Sequence, residues 1–199
     1  MRSDSFQSAN MNLIITRAGI LDTIQDKGRF GFRHLGINTG GVMDQAASTM
    51  ANSLVGNDFE EAVIEMHFPA AEFLFTQPAL IAIGGADFSA TVNGKAIPNL
   101  HPVFINSQSV LRFKKNVSGA RAYLAVQGGF NVSKWLNSYS TNLQIGAGGY
   151  HGRRLVLNDR LSYHFLRSIY NEKKRFPGRF CLRMDENANR NLVEAKLLY

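Results

Sequence analysis

A series of short β-rich segments occupies the chain from about residue 62 onward, and it constrains the fold more than any other feature of the sequence. The segments "AVIEMHF", "AEFLFT" and "ALIAIGG" follow one another, and "VFINSQSVLRF" and "RAYLAVQGGF" continue the series. The pair Asn93-Gly94 lies between apolar residues and predicts a type I′ hairpin turn. No βαβ alternation and no repeat of fixed period accompany these segments. The pattern therefore predicts a mainly β chain folded as a barrel or a sandwich.

One amphipathic segment, "MDQAASTMANSLVGN", predicts the clearest helix. Asp44 can cap its N-terminus, and Gly56-Asn57 can end it in a left-handed conformation. Its apolar stripe is expected to face the core and consists of Ala47, Met50, Ala51, Leu54 and Val55. Weaker patterns predict a strand in "MNLIITRAG", a short helix around Val132–Leu136, a strand at Arg154–Leu157, a strand-like piece at Phe180–Met184 and a last helix or strand at Leu192–Tyr199.

Composition and charge limit the classes of protein to consider. The chain has a single cysteine, Cys181, and no run that approaches the roughly 20 apolar residues of a membrane-spanning helix. Its start lacks the apolar stretch of a signal peptide, so a cytoplasmic protein without a membrane role is expected. Residues 1–110 carry six Lys and Arg against ten Asp and Glu, and residues 111–199 carry sixteen against five. Because no nucleic-acid motif accompanies the basic half, the charge favours an acidic partner or ligand over nucleic acid.

Known site patterns are mostly absent from the sequence. The five histidines show no pair at ligand spacing, so no metal site is predicted. The segment "IGAGGYHGRR" places Gly148 and Gly149 before Arg153, which is typical of an anion-binding loop or a tight turn rather than of a dinucleotide or P-loop motif. The hydroxyl-rich segment at Ser138–Thr141 has no adjacent base, and such loops more often satisfy their own backbone than attack a substrate.

The segment "DTIQDKGRFG" (residues 22–31) combines acids, bases and glycines in a predicted loop. Asp26 and Arg29 could form a local ion pair or Asx-turn, with Gly28 and Gly31 at positive φ. Alternatively, Asp26 could accept a proton or a hydrogen bond while Arg29 holds a carboxylate or carboxyphosphate. Residue chemistry alone favours the turn.

Six segments in order over residues 13–162 resemble the allophanate hydrolase subunit 2-like, or KipA, family. That family is related to the carboxyltransferase part of urea carboxylase and to the C subunit of bacterial 5-oxoprolinase. The resemblance rests on Thr23, Gln25, Asp26, Gly28, Arg29 and Gly31, then on Gly41-x-Met43-Asp44, Ala51-Asn52-x-Leu54-Val55-Gly56-Asn57, Ile64-Glu65, "AIGGADFSATVNGKAIP", "RAYLAVQGGF", the serine loop at Ser138–Thr141 and "GAGGYHGRRL…ND".

The resemblance implies a mainly β, antiparallel, cyclophilin-like β-barrel with one or two short helices. It also implies a KipI-like partner and, in 5-oxoprolinase, a third subunit of lamB type. On this basis the chain divides into a disordered N-terminus at 1–11, a KipA-like barrel domain at 12–165, and an atypical tail at 166–199, which is either the start of a truncated second half or the end of a shortened relative. The serine loop departs from the usual L-G-S-R-S-T because Tyr139 replaces the arginine. Asn158 stands where glycine is usual, a position that Asn can fill in the left-handed conformation.

The leading hypothesis is a non-autonomous subunit of an ATP-dependent 5-oxoprolinase, which opens 5-oxoproline to glutamate. A carboxyltransferase component of a biotin-dependent, urea carboxylase-like system is one alternative, and a non-enzymatic KipA-type regulatory or assembly protein is another. ATP is implied for the assembled complex, biotin for the first alternative only, and no metal. The predicted catalytic residues are Asp26 and Arg29. The predicted substrate- or anion-binding residues are Asn52, Ser138, Ser140, Thr141, Gly148, Gly149 and Arg153.

Overall fold

The computed structural model describes residues 12–163 and three short strands at 180–181, 192–194 and 196–197. The predicted N-terminus at 1–11 and most of the tail at 166–199 lie outside the described residues, so the proposed domain division stays a prediction. Two predicted tail elements lie partly within them. The strand Phe180–Cys181 (β12) lies in the strand-like piece predicted at Phe180–Met184. For the last helix or strand predicted at Leu192–Tyr199, the described residues form the strands Leu192–Glu194 (β13) and Lys196–Leu197 (β14).

Two six-stranded antiparallel sheets make up most of the described part of the fold. The first has the order β11-β1-β4-β9-β6-β7, from Arg160–Ser162, Asn12–Arg17, Glu72–Phe75, Ser109–Phe113, Ala90–Val92 and Lys95–Ala96. The second has the order β13-β8-β5-β10-β3-β2, from Leu192–Glu194, Val103–Ile105, Ala79–Asp87, Ser118–Val126, Val63–Met66 and Thr23–Gln25. The prediction of a mainly β, antiparallel fold is confirmed. Within the described residues, however, the sheets keep open edges and do not close into a barrel.

The two sheets enclose one apolar core. Leu13 and Phe73 from the first sheet belong to the same buried cluster as Ile64, Ile81 and Leu124 from the second. Strand β5 is buried along most of its length because its other face also packs against a second apolar cluster. Burial on both faces explains why "ALIAIGG" is a continuous apolar run instead of an alternating one.

The helix α1 (Gln45–Leu54) covers the outer face of the second sheet. Asp44 caps it by accepting a hydrogen bond from the Ala47 N–H at 2.9 Å, which confirms the predicted cap. Ala47, Ala51 and Val55 are buried as expected, but Met50 is 48% exposed because that side of the helix faces away from the sheet. A Cβ at Gly84 would collide with the Ala47 carbonyl, so glycine lets the helix approach β5 closely.

The hairpin prediction at Asn93-Gly94 is confirmed, since both residues have positive φ (49° and 84°) and join the paired strands β6 and β7. The predicted helix around Val132–Leu136 is wrong: Leu136 and Asn137 adopt left-handed φ values of 50° and 61° in a tight turn. No helix in the described part of the chain is long and apolar enough to cross a membrane.

The strand predicted at Arg154–Leu157 is also wrong. These residues form an irregular segment and turn, and the strand begins only at Arg160. The Asp159 carboxylate accepts a hydrogen bond from the Val156 N–H at 2.8 Å and so favours the turn. Asn158 has φ of 69°, which confirms the left-handed conformation expected at this position.

Candidate functional site

The candidate site lies at the edge of the second sheet formed by β2, where two segments distant in sequence meet. Asp26 directly follows β2, which pairs with β3 on one side. On its other side, the Ile24 carbonyl accepts hydrogen bonds from both the backbone N–H and the hydroxyl of Thr141, each at 2.9 Å. The serine loop therefore runs alongside β2, and the short strand brings Asp26 to that loop.

The Asp26 carboxylate is buried and accepts four hydrogen bonds. Its Oδ1 accepts from the Gly28 N–H at 2.7 Å, the Ser138 hydroxyl at 2.7 Å and the Ser140 hydroxyl at 2.5 Å. Its Oδ2 accepts from the Tyr139 N–H at 2.6 Å. The bond from Gly28, whose φ is 94°, confirms the predicted Asx-turn. A carboxylate engaged this fully acts as an acceptor that holds the two loops together.

The hydroxyl groups of Ser138 and Ser140 both donate and accept hydrogen bonds within the same network. Each donates its hydrogen to Asp26, and each oxygen also accepts a backbone bond: Ser138 from the Ser140 N–H, and Ser140 from the Asp26 N–H, both at 3.0 Å. A hydroxyl with both its donor and its acceptor roles filled locally is a structural group. The geometry therefore favours positioning over nucleophilic attack for this pair.

Arg29 meets the same loop through its guanidinium and is only 2% exposed. Its Nη2 donates to the Ser140 carbonyl, so Ser140 links Asp26 and Arg29. The Trp135 ring faces the guanidinium, with its centroid 4.7 Å from Cζ. Burial lowers the pKa of Arg29, an effect that the charge of Asp26 opposes.

Two donors of this buried cation are left without a partner among the described residues. Neither Nε nor Nη1 of Arg29 makes a hydrogen bond within that part of the chain. An unmet buried donor costs about 1–3 kcal/mol, and more when it is charged. Such groups are uncommon in folded proteins, and a ligand can complete their bonding. The arrangement is therefore suited to holding a small anion.

The glycine-rich loop packs against this cluster from another side. Gly148 and Gly149 have positive φ, and a Cβ at either position would collide with Ser140 or Thr141. The Gly152 N–H donates to the Gly148 carbonyl at 2.8 Å, so part of the backbone is used within the loop. Here glycine permits close contact between two loops, whereas the sequence pattern is equally typical of a cradle for an anion.

Arg153 belongs to a separate network. Its Nη1 and Nη2 donate to the two carboxylate oxygens of Asp159, at 2.7 and 2.8 Å, in a bidentate ion pair. The hydrogen bonds that it donates to Asp159 raise the pKa of Arg153. Burial raises the pKa of Asp159, but the hydrogen bonds from Arg153 and the Val156 backbone outweigh it, so the net shift is downward. This guanidinium is already neutralised by a protein carboxylate, so it does not share in the Arg29 cluster.

Asn52 also belongs elsewhere. It is fully buried at the end of α1, where its side-chain N–H donates to the Glu61 carbonyl at 2.8 Å and its side-chain oxygen accepts from the Asn57 side chain at 3.0 Å. These contacts tie the helix end to the following turn. Of the predicted site residues, the structure thus gathers Asp26, Arg29, Ser138, Ser140, Thr141, Gly148 and Gly149, and it places Asn52 and Arg153 in separate networks.

Sequence reasoning missed one member of the cluster, Trp135. The sequence predicts a helix in its segment, which directs attention to the core instead of to the site. Two features of the sequence could have pointed to Trp135: it lies three residues before Ser138, and it is the single tryptophan of the chain. Among the described residues, no group of three or more His, Cys, Asp or Glu side chains could hold a metal ion.

The fold and the cluster define a two-sheet antiparallel protein whose edge strand, serine loop and glycine loop surround a buried aspartate and arginine. The sequence model of the carboxyltransferase domain, subdomain A and B, matches residues 35–194. The chain belongs to this family.

Similar proteins include enzymes of two kinds. Over 159 residues the chain is 38% identical to urea amidolyase of Saccharomyces cerevisiae, covering 79% of this chain and 9% of that protein. Over 149 residues it is 38% identical to the C subunit of 5-oxoprolinase from Escherichia coli, covering 75% of this chain and 48% of that protein. The expected resemblance to the C subunit of 5-oxoprolinase is confirmed. The chain spans about half the length of these relatives or less.

A solved structure supports the same relationship. The crystal structure of the urea amidolyase of K. lactis superimposes with a TM-score of 0.75 at 33% sequence identity. The match covers 80% of this chain and 10% of that one. The antiparallel fold described above is therefore shared with a region of a much longer enzyme.

Proposed function

We propose that the chain is a cytoplasmic, non-autonomous subunit of an ATP-dependent 5-oxoprolinase. In this reaction 5-oxoproline, ATP and water give glutamate, ADP and phosphate. The observation that carries the proposal is the buried Arg29 guanidinium, two of whose donors have no partner in the described part of the chain. A site that handles 5-oxoproline must hold a carboxylate, and arginine is well suited to that task. The similarity to the C subunit of 5-oxoprolinase, of which the chain covers 48%, supports it.

Within this function, Arg29 binds the anionic group and Asp26 positions the loop that surrounds it. All four groups bonded to the Asp26 carboxylate are donors, so the carboxylate orders the serine loop and does not serve as a free base. The Ser140 carbonyl accepts a hydrogen bond from Arg29, so the ordered loop also holds the guanidinium in place. The chain's own contribution is thus binding and orientation of the substrate.

ATP supplies activation of the lactam carbonyl by phosphorylation, which prepares it for attack by water. The glycine-rich loop does not form a phosphate cradle, because Gly148 and Gly149 make room for Ser140 and Thr141 rather than for phosphate oxygens. We therefore assign nucleotide binding to the partner chains, one KipI-like and one of lamB type. The positive net charge of +7 is consistent with an acidic partner surface or an anionic substrate.

The test is co-expression of the chain with its KipI-like and lamB-type partners, followed by an assay of 5-oxoproline-dependent ATP hydrolysis. We expect turnover only when all three proteins are present. A stable three-protein complex without turnover would overturn the proposal and favour a regulatory or assembly role.

The second candidate is the carboxyltransferase component of a biotin-dependent system, favoured by the family that matches residues 35–194 and by the urea amidolyase structure. There the same anion site would hold a carboxyl group on its way from carboxybiotin to urea. The chain contains no Met-Lys biotin-acceptor pair, so the biotin would be carried elsewhere. Transfer of labelled carboxyl to urea in the presence of a biotin carboxylase partner, with no response to 5-oxoproline, would select this candidate.

A further inference from the structure

The single tryptophan of the chain covers the arginine that has unmet donors. The Trp135 ring centroid lies 4.7 Å from the Arg29 Cζ, and only 2% of Arg29 is exposed. A cation–π contact of this kind compensates part of the lost hydration of the guanidinium. It satisfies neither Nε nor Nη1, which find no hydrogen-bond partner among the described residues. Trp135 therefore occupies a face of the cation without completing its hydrogen bonding.

The backbone that carries Trp135 is a short exposed turn. Trp135 and Ser138 exchange backbone hydrogen bonds of 2.9 and 3.2 Å across Leu136 and Asn137, both of which have left-handed φ values. Ser138 is fixed by Asp26, whereas Lys134 and Asn137 are exposed and Trp135 itself is half-buried. One side of the turn is thus anchored in the site, and the half-buried indole on the other side packs on Arg29 while keeping some exposure to solvent.

We propose that Trp135 is a displaceable cover over Arg29: a small carboxylate-type anion binds in the plane of the guanidinium, where Nε and Nη1 donate, and shifts the indole that lies over its face. The proposal rests on the proposed function and deepens it, because it assigns the carboxylate of the substrate to this site. A singly charged planar anion matches one guanidinium charge. Glycine at position 40 keeps a side chain away from Nη1, since a Cβ there would lie 3.0 Å from that atom, whereas Nη2 already donates to the Ser140 carbonyl.

The sole tryptophan makes the movement directly observable by intrinsic fluorescence of the full chain. We expect acetate, bicarbonate and 5-oxoproline, titrated at constant ionic strength against chloride, to produce a saturable red shift. Quenching by acrylamide should rise by roughly twofold, because an indole that leaves its protein contact becomes more accessible to solvent. Comparison of the three anions distinguishes a substrate carboxylate from bicarbonate as the natural source.

Two variants and a control separate the cover from a general change in structure. Arg29→Lys keeps the charge but removes the planar donors, and it should weaken the fluorescence titration by about tenfold or more, as expected for the loss of charge-assisted hydrogen bonds. Arg112→Lys changes an exposed arginine paired with Glu72 and should leave the titration unchanged. Trp135→Phe, followed by calorimetry, should bind acetate more tightly than the unmodified chain because the smaller ring is displaced more easily.

The proposal is overturned if none of the anions shifts the emission, if Arg29→Lys titrates like the unmodified chain, or if Trp135→Phe binds acetate with unchanged affinity. Its failure is distinguishable from failure of the proposed function. Turnover of 5-oxoproline in the three-protein complex without any emission change would reject the cover and keep the function. An emission change with acetate or bicarbonate but not with 5-oxoproline would keep the cover and reject the substrate.

Discussion

Arg29 and Arg153 both follow glycine-containing segments and are both predicted from the sequence to hold anions, yet their surroundings differ. The Arg153 side chain is 41% exposed and makes two hydrogen bonds to Asp159. Arg29 is almost fully buried, and two of its donors lack a partner in the described part of the chain. Exposure alone would favour Arg153 as the ligand-binding residue. The hydrogen bonds instead favour Arg29, because the Arg153 guanidinium is already neutralised by a carboxylate and binds a second anion weakly.

The same contrast separates two buried aspartates. Asp26 has donors on both oxygens. Asp22 is fully buried, and its Oδ2 accepts a bond from the Ala71 N–H at 2.8 Å while its Oδ1 has no partner among the described residues. Burial raises the pKa of Asp22 to about 7, although backbone hydrogen bonds from Ala71, His67 and Gly19 oppose the shift. In both pairs, one side chain has a buried polar atom without a hydrogen-bond partner in the described part of the chain. We expect that side chain to be the one whose binding of an anion or of a proton changes with conditions.

The largest effect is expected for Asp26→Asn. Since all four partners of the carboxylate are donors, the amide nitrogen would face at least one of them. The loss in free energy of unfolding should be about 3–5 kcal/mol, as for other disrupted buried charge networks. Chemical denaturation measures it, with Asp58→Asn as the exposed control, for which a change within about 0.5 kcal/mol is expected. If Asp26→Asn left the free energy of unfolding almost unchanged and kept full turnover, the loop would be a simple turn with no role in the site.

Asp22→Asn tests the second half of the comparison through pH. Because the folded state holds the Asp22 proton up to about pH 7 while the unfolded chain releases it near 3.8, folding stability falls as pH rises through that window. The asparagine variant should lack this slope and, above pH 7, gain on the order of 2–4 kcal/mol relative to the unmodified chain.

Denaturation curves at several pH values across that window measure this difference. Parallel pH profiles for the two proteins would contradict the assignment to Asp22.

Arg29→Lys should affect function more than stability. Turnover in the assembled complex should fall by about 10- to 100-fold, because lysine cannot reproduce the planar donor geometry. Steady-state assays with the Arg112→Lys protein as control measure the effect. If turnover is unchanged while the complex still assembles, the anion site lies elsewhere.

The smallest effect is expected for Arg153→Lys. The pair with Asp159 is partly exposed, so its replacement should cost at most about 1 kcal/mol and leave turnover within about twofold. Thermal unfolding and the same turnover assay check this. A loss of turnover equal to that of Arg29→Lys at unchanged stability would restore Arg153 as an anion-binding residue and break the comparison.

Local patterns predicted those parts of the fold that short-range physics controls. The cap at Asp44, the turn at Asn93-Gly94 and the Asx-turn between Asp26 and Gly28 each depend on residues within a few positions of one another. The helix expected around residue 134 failed because the tight turn there depends on Ser138, whose hydroxyl is fixed by the distant Asp26.

The sequence by itself determined that the chain is mainly β, where its clearest helix and hairpin lie, and which ordered segments relate it to its family. Only the tertiary structure decided which arginine is free to bind. It placed Asp159 against Arg153 and Trp135 against Arg29, and it aligned the serine loop with the edge of β2. The physical reason is that hydrogen-bond saturation depends on the partners available in space, and those partners come from segments more than 100 residues apart in the case of Asp26 and Ser140.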